Sequence, residues 1–258
     1  MTVLPFTRLR GHTFERIEMS AATFRDVDLC GARFERVTVT GAVLRGVELC
    51  DVQISGELKE VSINGVDVVP LVEAELDRRY PDRPKMQPED AAGFREAWDI
   101  VERLWDGTVA RARGLPPDLL HERIDGEWSF IQTLRHLVFA TDAWVRRVML
   151  GDPAPWDALD LPFEEMRDRP GVPRDRDARP SLDEVLTLRR DRMDTVRQVI
   201  DDLDDDMLDG RTEPVDAPGW PAADNYPVRG VLLCILNEEW QHRLYAERDL
   251  DVLESGSS

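Results

Sequence analysis

The chain is poor in cysteine and lacks long apolar runs. Three cysteines in 258 residues are too few for the disulfide framework of a small secreted domain, and they indicate a reducing compartment. No run approaches the roughly 18 apolar residues that a membrane-spanning helix needs. The first residues, MTVLPFTRLRGHTF, lack the apolar core of a signal peptide. We therefore expect a cytoplasmic protein without a membrane partner.

Positive charge is also scarce. Lysine and arginine number 33 against 52 aspartates and glutamates, so the net charge is -19. A chain this acidic repels phosphate backbones, which argues against a nucleic-acid partner. The simplest explanation of the charge is solubility. Apolar residues make up 42%, enough to form the core of one large domain or two modest ones.

The N-terminal part repeats every five residues, a period that neither a helix nor a strand produces. Large apolar residues recur at Phe14, Met19, Phe24, Leu29, Phe34, Val39, Leu44, Leu49 and Ile54, and residues that are mostly small or β-branched lie two positions before each. A short fixed period predicts a solenoid, in which each unit buries its face against the next.

This pattern resembles the pentapeptide-repeat family, through stretches such as Ala22-Thr23-Phe24-Arg25-Asp26. The resemblance covers about residues 10 to 57 and implies a right-handed quadrilateral β-helix with twenty residues in each coil. The chain would form little more than two coils, which is short for a solenoid. Cys30 and Cys50 would lie one coil apart, as a thiol pair or by coincidence. We assign residues 1–70 to this β-helix.

The rest of the chain has helical patterns. A short helix and a linker are expected over 71–88, followed by a four-helix bundle over 89–252 and a disordered tail over 253–258. The bundle helices are expected at about 89–113, 129–150, 182–210 and 227–252, with a long loop over 152–180. The predicted fold class is therefore mixed, a short β-helix followed by an all-α bundle.

The fourth helix places Glu238 and His242 four residues apart, in line with the apolar residues Val231 and Ile235. Side chains at this spacing share one helix face, and a carboxylate in a core is costly unless it is paired or binds a metal. The pair could hold one ion, as in helical zinc sites. A buried glutamate–histidine hydrogen bond, or a helix rotated so that Glu238 meets water, explains the pattern equally.

His136 on the second helix is a third candidate ligand. Its side of the helix continues with the small residues Ala140 and Ala143, whereas Arg135, Asp142 and Arg146 are expected on the solvent face. A single histidine of this kind is more often a core residue. Together with the pair on helix four, however, it would make three ligands, the number typical of open catalytic sites.

The segments Glu127-Trp128-Ser129, Leu134-Arg135-His136-Leu137 and Asn237-Glu238-Glu239-Trp240-Gln241-His242-Arg243 resemble the DinB-like family over about residues 89–252. That resemblance implies a four-helix bundle with a metal bound by His136, Glu238 and His242. The common family pattern has histidine where this chain has Glu238. The mycothiol-dependent maleylpyruvate isomerases of the same superfamily use a His, Glu, His set, so Glu238 retains a ligand.

Three further residues are candidates for a substrate pocket. Arg243 follows the last ligand and could bind an anionic group or form a surface salt bridge. Trp128 could line the pocket or belong to the core. His121 precedes helix two in a loop-like stretch and could approach the mouth of the site.

The resemblance implies a divalent metal, with zinc expected first and nickel second, since two imidazoles and a carboxylate suit several ions. The expected function is a thiol S-transferase or isomerase that uses a small-molecule thiol such as mycothiol, with an electrophile as second substrate. The alternative is a non-enzymatic binding or scaffold protein with a structural metal and a solenoid surface for interactions. A homodimer is expected, since many DinB-like proteins are dimers.

Overall fold

The computed structural model of the chain describes residues 9–256. The chain divides into two compact units between Glu57 and Leu58, and each is described by itself. Among the described residues, no helix is both long enough and apolar enough to cross a membrane.

The N-terminal unit is a succession of turns. From residue 9 to residue 61 no strand forms, and backbone hydrogen bonds such as Ala22 N to Met19 O (3.0 Å) and Ala32 N to Leu29 O (2.9 Å) recur every ten residues. Gly31, the third residue of the turn from Leu29 to Ala32, has φ +71°, a conformation that favours glycine. The period of the sequence therefore marks where the backbone turns.

The predicted right-handed β-helix over residues 1–70 is wrong. Its apolar side chains are exposed, with Phe24 at 63% and Phe34 at 67%, and its backbone lacks the strand pairing that would join successive coils. Each coil of a solenoid is stabilised only by its neighbours, and a repeat of little more than two coils provides few of them. The pentapeptide-repeat assignment therefore rests on the sequence pattern alone, and residues 1–8 lie outside the described residues.

The two strands within residues 9–256 belong to the second unit. Strands β1 (Ser62–Ile63) and β2 (Val66–Asp67) pair antiparallel, with Ser62 opposite Asp67 and Ile63 opposite Val66. Asn64 and Gly65 form the turn with positive φ at both positions, as expected for an Asn-Gly hairpin.

The second unit is otherwise helical. Its α-helices are α1 (Val69–Arg79), α2 (Ala91–Ala112), α3 (Phe130–Thr141), α4 (Leu182–Asp201), α5 (Asp205–Leu208) and α6 (Val228–Gly256). Helix α3 continues as a π-helical segment, Asp142–Met149, and 3₁₀ helices cover Arg83–Met86 and Pro117–His121. Helix α3 packs on α4 and α6, and α2 packs on α6 and α4. The predicted helical bundle is thus confirmed.

Capping residues explain where three of the long helices begin. The Asp90 side chain accepts a hydrogen bond from Gly93 N at the start of α2. Ser129 and Ser181 each form a capping box, with Gln132 at the start of α3 and with Glu184 at the start of α4. Each cap provides an acceptor for a backbone N–H that has no partner within the helix.

Two helix ends differ from the prediction. Helix α4 ends at Asp201, and Asp204 caps the separate short helix α5 by accepting from Met207 N. Helix α6 continues to Gly256, because Leu253 is buried and Glu254 is paired with Arg111. Residues 253–256, which were expected in a disordered tail, are therefore helical. Residues 257–258 of that tail lie outside the described residues.

The prediction that Arg135 and Asp142 face solvent is wrong, since both are completely buried. The connection between the π-helical segment and α4 covers this side of α3. Arg135 donates hydrogen bonds to carbonyl groups of that connection. Arg146, the third residue of that group, is partly exposed and forms an ion pair with Asp152. Helix periodicity alone does not show that a long connection will cover a polar face.

Candidate metal centre

The packing of α3 against α6 brings His136, Glu238 and His242 together. Their potential ligand atoms all lie within 4.8 Å of one another. His136 Nε2 is 3.3 Å from Glu238 Oε2, and His242 Nδ1 is 3.2 Å from the same oxygen. Glu238 and His242 are one turn apart on α6, so a single helix face carries both, and α3 supplies the third group from the opposite side.

A main-chain carbonyl determines the orientation of the His136 ring. His136 Nδ1 lies 2.9 Å from Leu161 O. A carbonyl oxygen can only accept, so Nδ1 must carry the proton and donate it. The Nε2 lone pair is then free and faces Glu238. A metal-binding histidine is usually held by a second hydrogen bond of this kind.

The His242 ring is held by its own helix. His242 Nδ1 lies 2.9 Å from Glu238 O, so the same reasoning places a proton on Nδ1 and leaves Nε2 with a free lone pair. The two imidazole rings are 4.8 Å apart, centroid to centroid. Two unprotonated ring nitrogens and one carboxylate are therefore available to a cation.

The Glu238 carboxylate is short of partners. Its Oε2 atom is buried and has no hydrogen bond of acceptable geometry among the described residues, although two imidazole nitrogens lie near it. A buried polar atom without a partner is costly. Two imidazoles and one glutamate form the donor set of several catalytic zinc sites. The residues present fit a divalent metal ion, because the ion would provide the partner that Oε2 lacks.

The protonation states also suit metal binding. Burial raises the pKa of Glu238, but the neighbouring side chains of His136 and His242 outweigh burial and lower it. Burial, assisted by His136, lowers the pKa of His242 to about 4. At neutral pH the carboxylate is therefore ionised and the His242 imidazole is neutral, as ligands must be.

Aromatic rings surround the centre. Trp128 lies against both imidazoles, with its ring centroid 4.4 Å from that of His136 and 6.0 Å from that of His242. Phe139 lies 6.0 Å from His136 and belongs to a cluster of rings with Trp156 and Trp220. These rings exclude water from one side of the centre.

Glu238 is the most exposed of the three side chains. The side chains of His136, His242 and Glu238 are 7%, 18% and 27% exposed. Tyr245 is exposed beside His242, with the ring centroids 6.0 Å apart.

The other predicted pocket residues lie in different places. Trp128 contacts the centre directly. Arg243 lies between α2 and α6, where it donates to Thr108 Oγ1 (3.2 Å) and is paired with Glu247 (3.3 Å). His121 ends a 3₁₀ helix, and burial together with the charge of Arg179 lowers its pKa.

Two groups near the centre escaped the sequence analysis. The Leu161 carbonyl could not be found from sequence, because any residue type supplies a carbonyl. Cys234 lies one turn before Glu238 on α6, and the i,i+4 spacing could have identified it. Burial, with the Glu238 charge adding to it, raises the pKa of the Cys234 thiol to about 12.

A comparison with protein families assigns most of this unit. The model of the family described as DinB superfamily matches residues 100–246, a range that contains all three residues of the centre. Comparisons with curated proteins and with solved structures gave no match.

Proposed function

The chain belongs to the DinB superfamily, a family of metal-binding helical proteins, and we propose that His136, Glu238 and His242 bind one divalent metal ion. The observation that carries this proposal is the buried Glu238 Oε2, which lacks a hydrogen-bond partner while two imidazoles converge on it. Zinc is the expected ion and nickel the second, because this donor set suits both.

We propose further that the metal serves a reaction of a small-molecule thiol with an electrophile, in transfer or isomerisation. A bound divalent ion would lower the pKa of a thiol that reaches its open position. The Leu161 carbonyl holds the His136 ring in place, and Trp128 keeps water from one side of the centre. The number of ligands supports catalysis, since three protein groups leave the fourth position of a tetrahedral ion to a small molecule, whereas a structural zinc site has four protein ligands.

Metal analysis of the purified full chain tests the ligand assignment. Wild type, His136→Ala, Glu238→Ala and His242→Ala are loaded with zinc, desalted and analysed for metal content. His121→Ala is the matched control, since it removes a histidine outside the group of three. We expect about one zinc in wild type and in the control, and a large loss in the other three. Equal metal content in all five proteins would exclude these ligands.

A screen of thiols tests the reaction. Mycothiol, bacillithiol and glutathione are each mixed with a generic electrophile and the zinc-loaded protein, with His242→Ala as the control. We expect conjugation that depends on the metal with at least one thiol. Without such conjugation, the second candidate is favoured, a binding protein with a structural metal. The exposed apolar side chains of the N-terminal unit, such as Phe24 and Phe34, support that candidate.

The partners remain proposals. A small-molecule thiol and an electrophile are the proposed substrates, and a homodimer, a cytoplasmic location and the absence of nucleic-acid partners stay predictions from the sequence. Light scattering of the purified chain would test the homodimer.

A further inference from the structure

Arg135 has an unusual environment for an arginine. Its side chain is completely buried, and no carboxylate among the described residues forms an ion pair with it. It donates instead to three main-chain carbonyls, Leu159 O (2.8 Å), Ala178 O (3.2 Å) and Asp175 O. A buried charge is costly unless hydrogen bonds compensate it. The guanidinium thus joins two distant parts of the connection between the π-helical segment Asp142–Met149 and α4.

One of those parts, the stretch that contains Leu159, is held by two further hydrogen bonds. Two residues later, Leu161 N donates to Arg135 O (3.4 Å) and Leu161 O accepts from His136 Nδ1 (2.9 Å). The adjacent residues Arg135 and His136 therefore hold the short stretch from Leu159 to Leu161 through three hydrogen bonds. The Arg135 guanidinium makes one of these three bonds, to Leu159 O, and it also binds the carbonyls of Asp175 and Ala178.

We infer that Arg135 is a positioning residue for the His136 imidazole, acting through the Leu161 carbonyl. The inference rests on the proposed metal site, because orientation of Nε2 matters only if that atom binds an ion. Without the guanidinium, Leu159 loses its partner and the stretch can move away from α3. The carbonyl that holds the proton on Nδ1 moves with it, and the ring is then free to rotate or to exchange its proton between nitrogens.

The chain offers a matched control. Arg147 is equally buried and also donates to three loop carbonyls, Pro153 O (2.9 Å), Val215 O (3.2 Å) and Ala217 O. It lies eleven positions after His136 and binds no carbonyl of the Leu159–Leu161 stretch. Loss of Arg147 should therefore cost similar stability and leave the His136 ring unchanged.

The experiment compares wild type, Arg135→Met and Arg147→Met as full chains. Long-range ¹⁵N–¹H spectra of the metal-free proteins above pH 7 report the histidine tautomers, and His136→Ala assigns the His136 signal. Zinc affinity is measured by competition with a chromophoric chelator, at a temperature where each protein is folded. We expect the single Nδ1–H form of His136 in wild type and in Arg147→Met, and a mixture of forms in Arg135→Met. The zinc Kd of Arg135→Met should rise about 10–100-fold, as for losses of groups that orient ligands.

Arg135→Lys serves if Arg135→Met fails to fold, since one ammonium keeps the charge but cannot reach three carbonyls in a planar fork. We expect Arg135→Lys, like Arg135→Met, to show a mixture of His136 tautomers and a raised zinc Kd. A wild-type tautomer and affinity in the Arg135 variants, or equal changes in Arg147→Met, would overturn the inference. If wild type binds no zinc, the proposed metal site fails, and the tautomer comparison alone decides whether Arg135 positions the ring.

Discussion

Glu239→Ala should destabilise the helical unit strongly and leave the metal centre intact. Glu239 and Arg189 are almost completely buried, at 1% and 3% exposed, and form a two-bond ion pair between α6 and α4. The Arg189 guanidinium also lies over the Trp105 ring, 5.3 Å from its centroid. Removal of the carboxylate leaves this guanidinium in the core without a counter-charge.

The size of the expected loss of stability in Glu239→Ala follows from this burial. Loss of one partner of a buried ion pair costs about 3–5 kcal/mol, which corresponds to a fall of roughly 6–20 °C in Tm for a unit of this size. Glu96→Ala is the control, because the Lys85–Glu96 pair is more than half exposed on both sides and such pairs contribute about 0–1 kcal/mol. A double variant, Arg189→Met with Glu239→Leu, removes both charges and should recover most of the lost stability.

Thermal unfolding followed by circular dichroism measures these differences, with a chelator present so that metal binding does not contribute. Metal content is measured separately. Glu238→Ala should give the opposite result to Glu239→Ala, with the metal lost and the Tm changed little. Two results would refute the reasoning: a cost for Glu239→Ala no larger than for Glu96→Ala, or loss of metal in Glu239→Ala but not in Glu238→Ala.

Three other changes have defined outcomes. Asp160→Asn should raise the urea midpoint at pH 7, because burial raises the pKa of Asp160 and the neutral amide has no charge to bury; equal midpoints would contradict this. Ser129→Ala should cost about 1 kcal/mol through loss of the α3 cap, while zinc content stays unchanged. The pKa of His242 is lowered to about 4 and that of Glu238 is lowered, so the unfolded chain binds more protons at these groups. The stability of the metal-free protein should therefore fall as pH drops from about 6.5 towards 4. The His242→Ala variant lacks this group, so its stability should fall less over the same pH range. An equal fall in both proteins would contradict the assignment.

The N-terminal repeat shows how far a sequence period can be interpreted. The period of five predicted a solenoid, and the resemblance implied a β-helix. The structure instead has turns whose backbone hydrogen bonds recur every ten residues. Strand pairing depends on contacts between residues that are twenty positions apart, and the side chains of this segment remain exposed, so the β-helix does not form.

The neighbouring glutamates of α6 show the same limit. The spacing to His242 and the apolar stripe made Glu238 a candidate for the buried face of the helix. No nearby residue indicated that Glu239 would form a buried ion pair, because its partner Arg189 lies 50 positions away. Arg135 and Asp142 were wrongly predicted to face solvent for a related reason. The composition of the long connection did not show that it would pack over them.

The sequence by itself determined the approximate positions of the four long helices and the presence of Glu238 and His242 on one helix face. These features depend on residues within one or two turns of each other, where backbone geometry leaves few alternatives. Only the tertiary structure decided that His136 meets the pair, that Leu161 holds its ring, and that Arg135 is buried beside it. Those contacts join residues 24 to more than 100 positions apart, so they depend on how the helices and the long connection pack, and packing is a property of the whole chain.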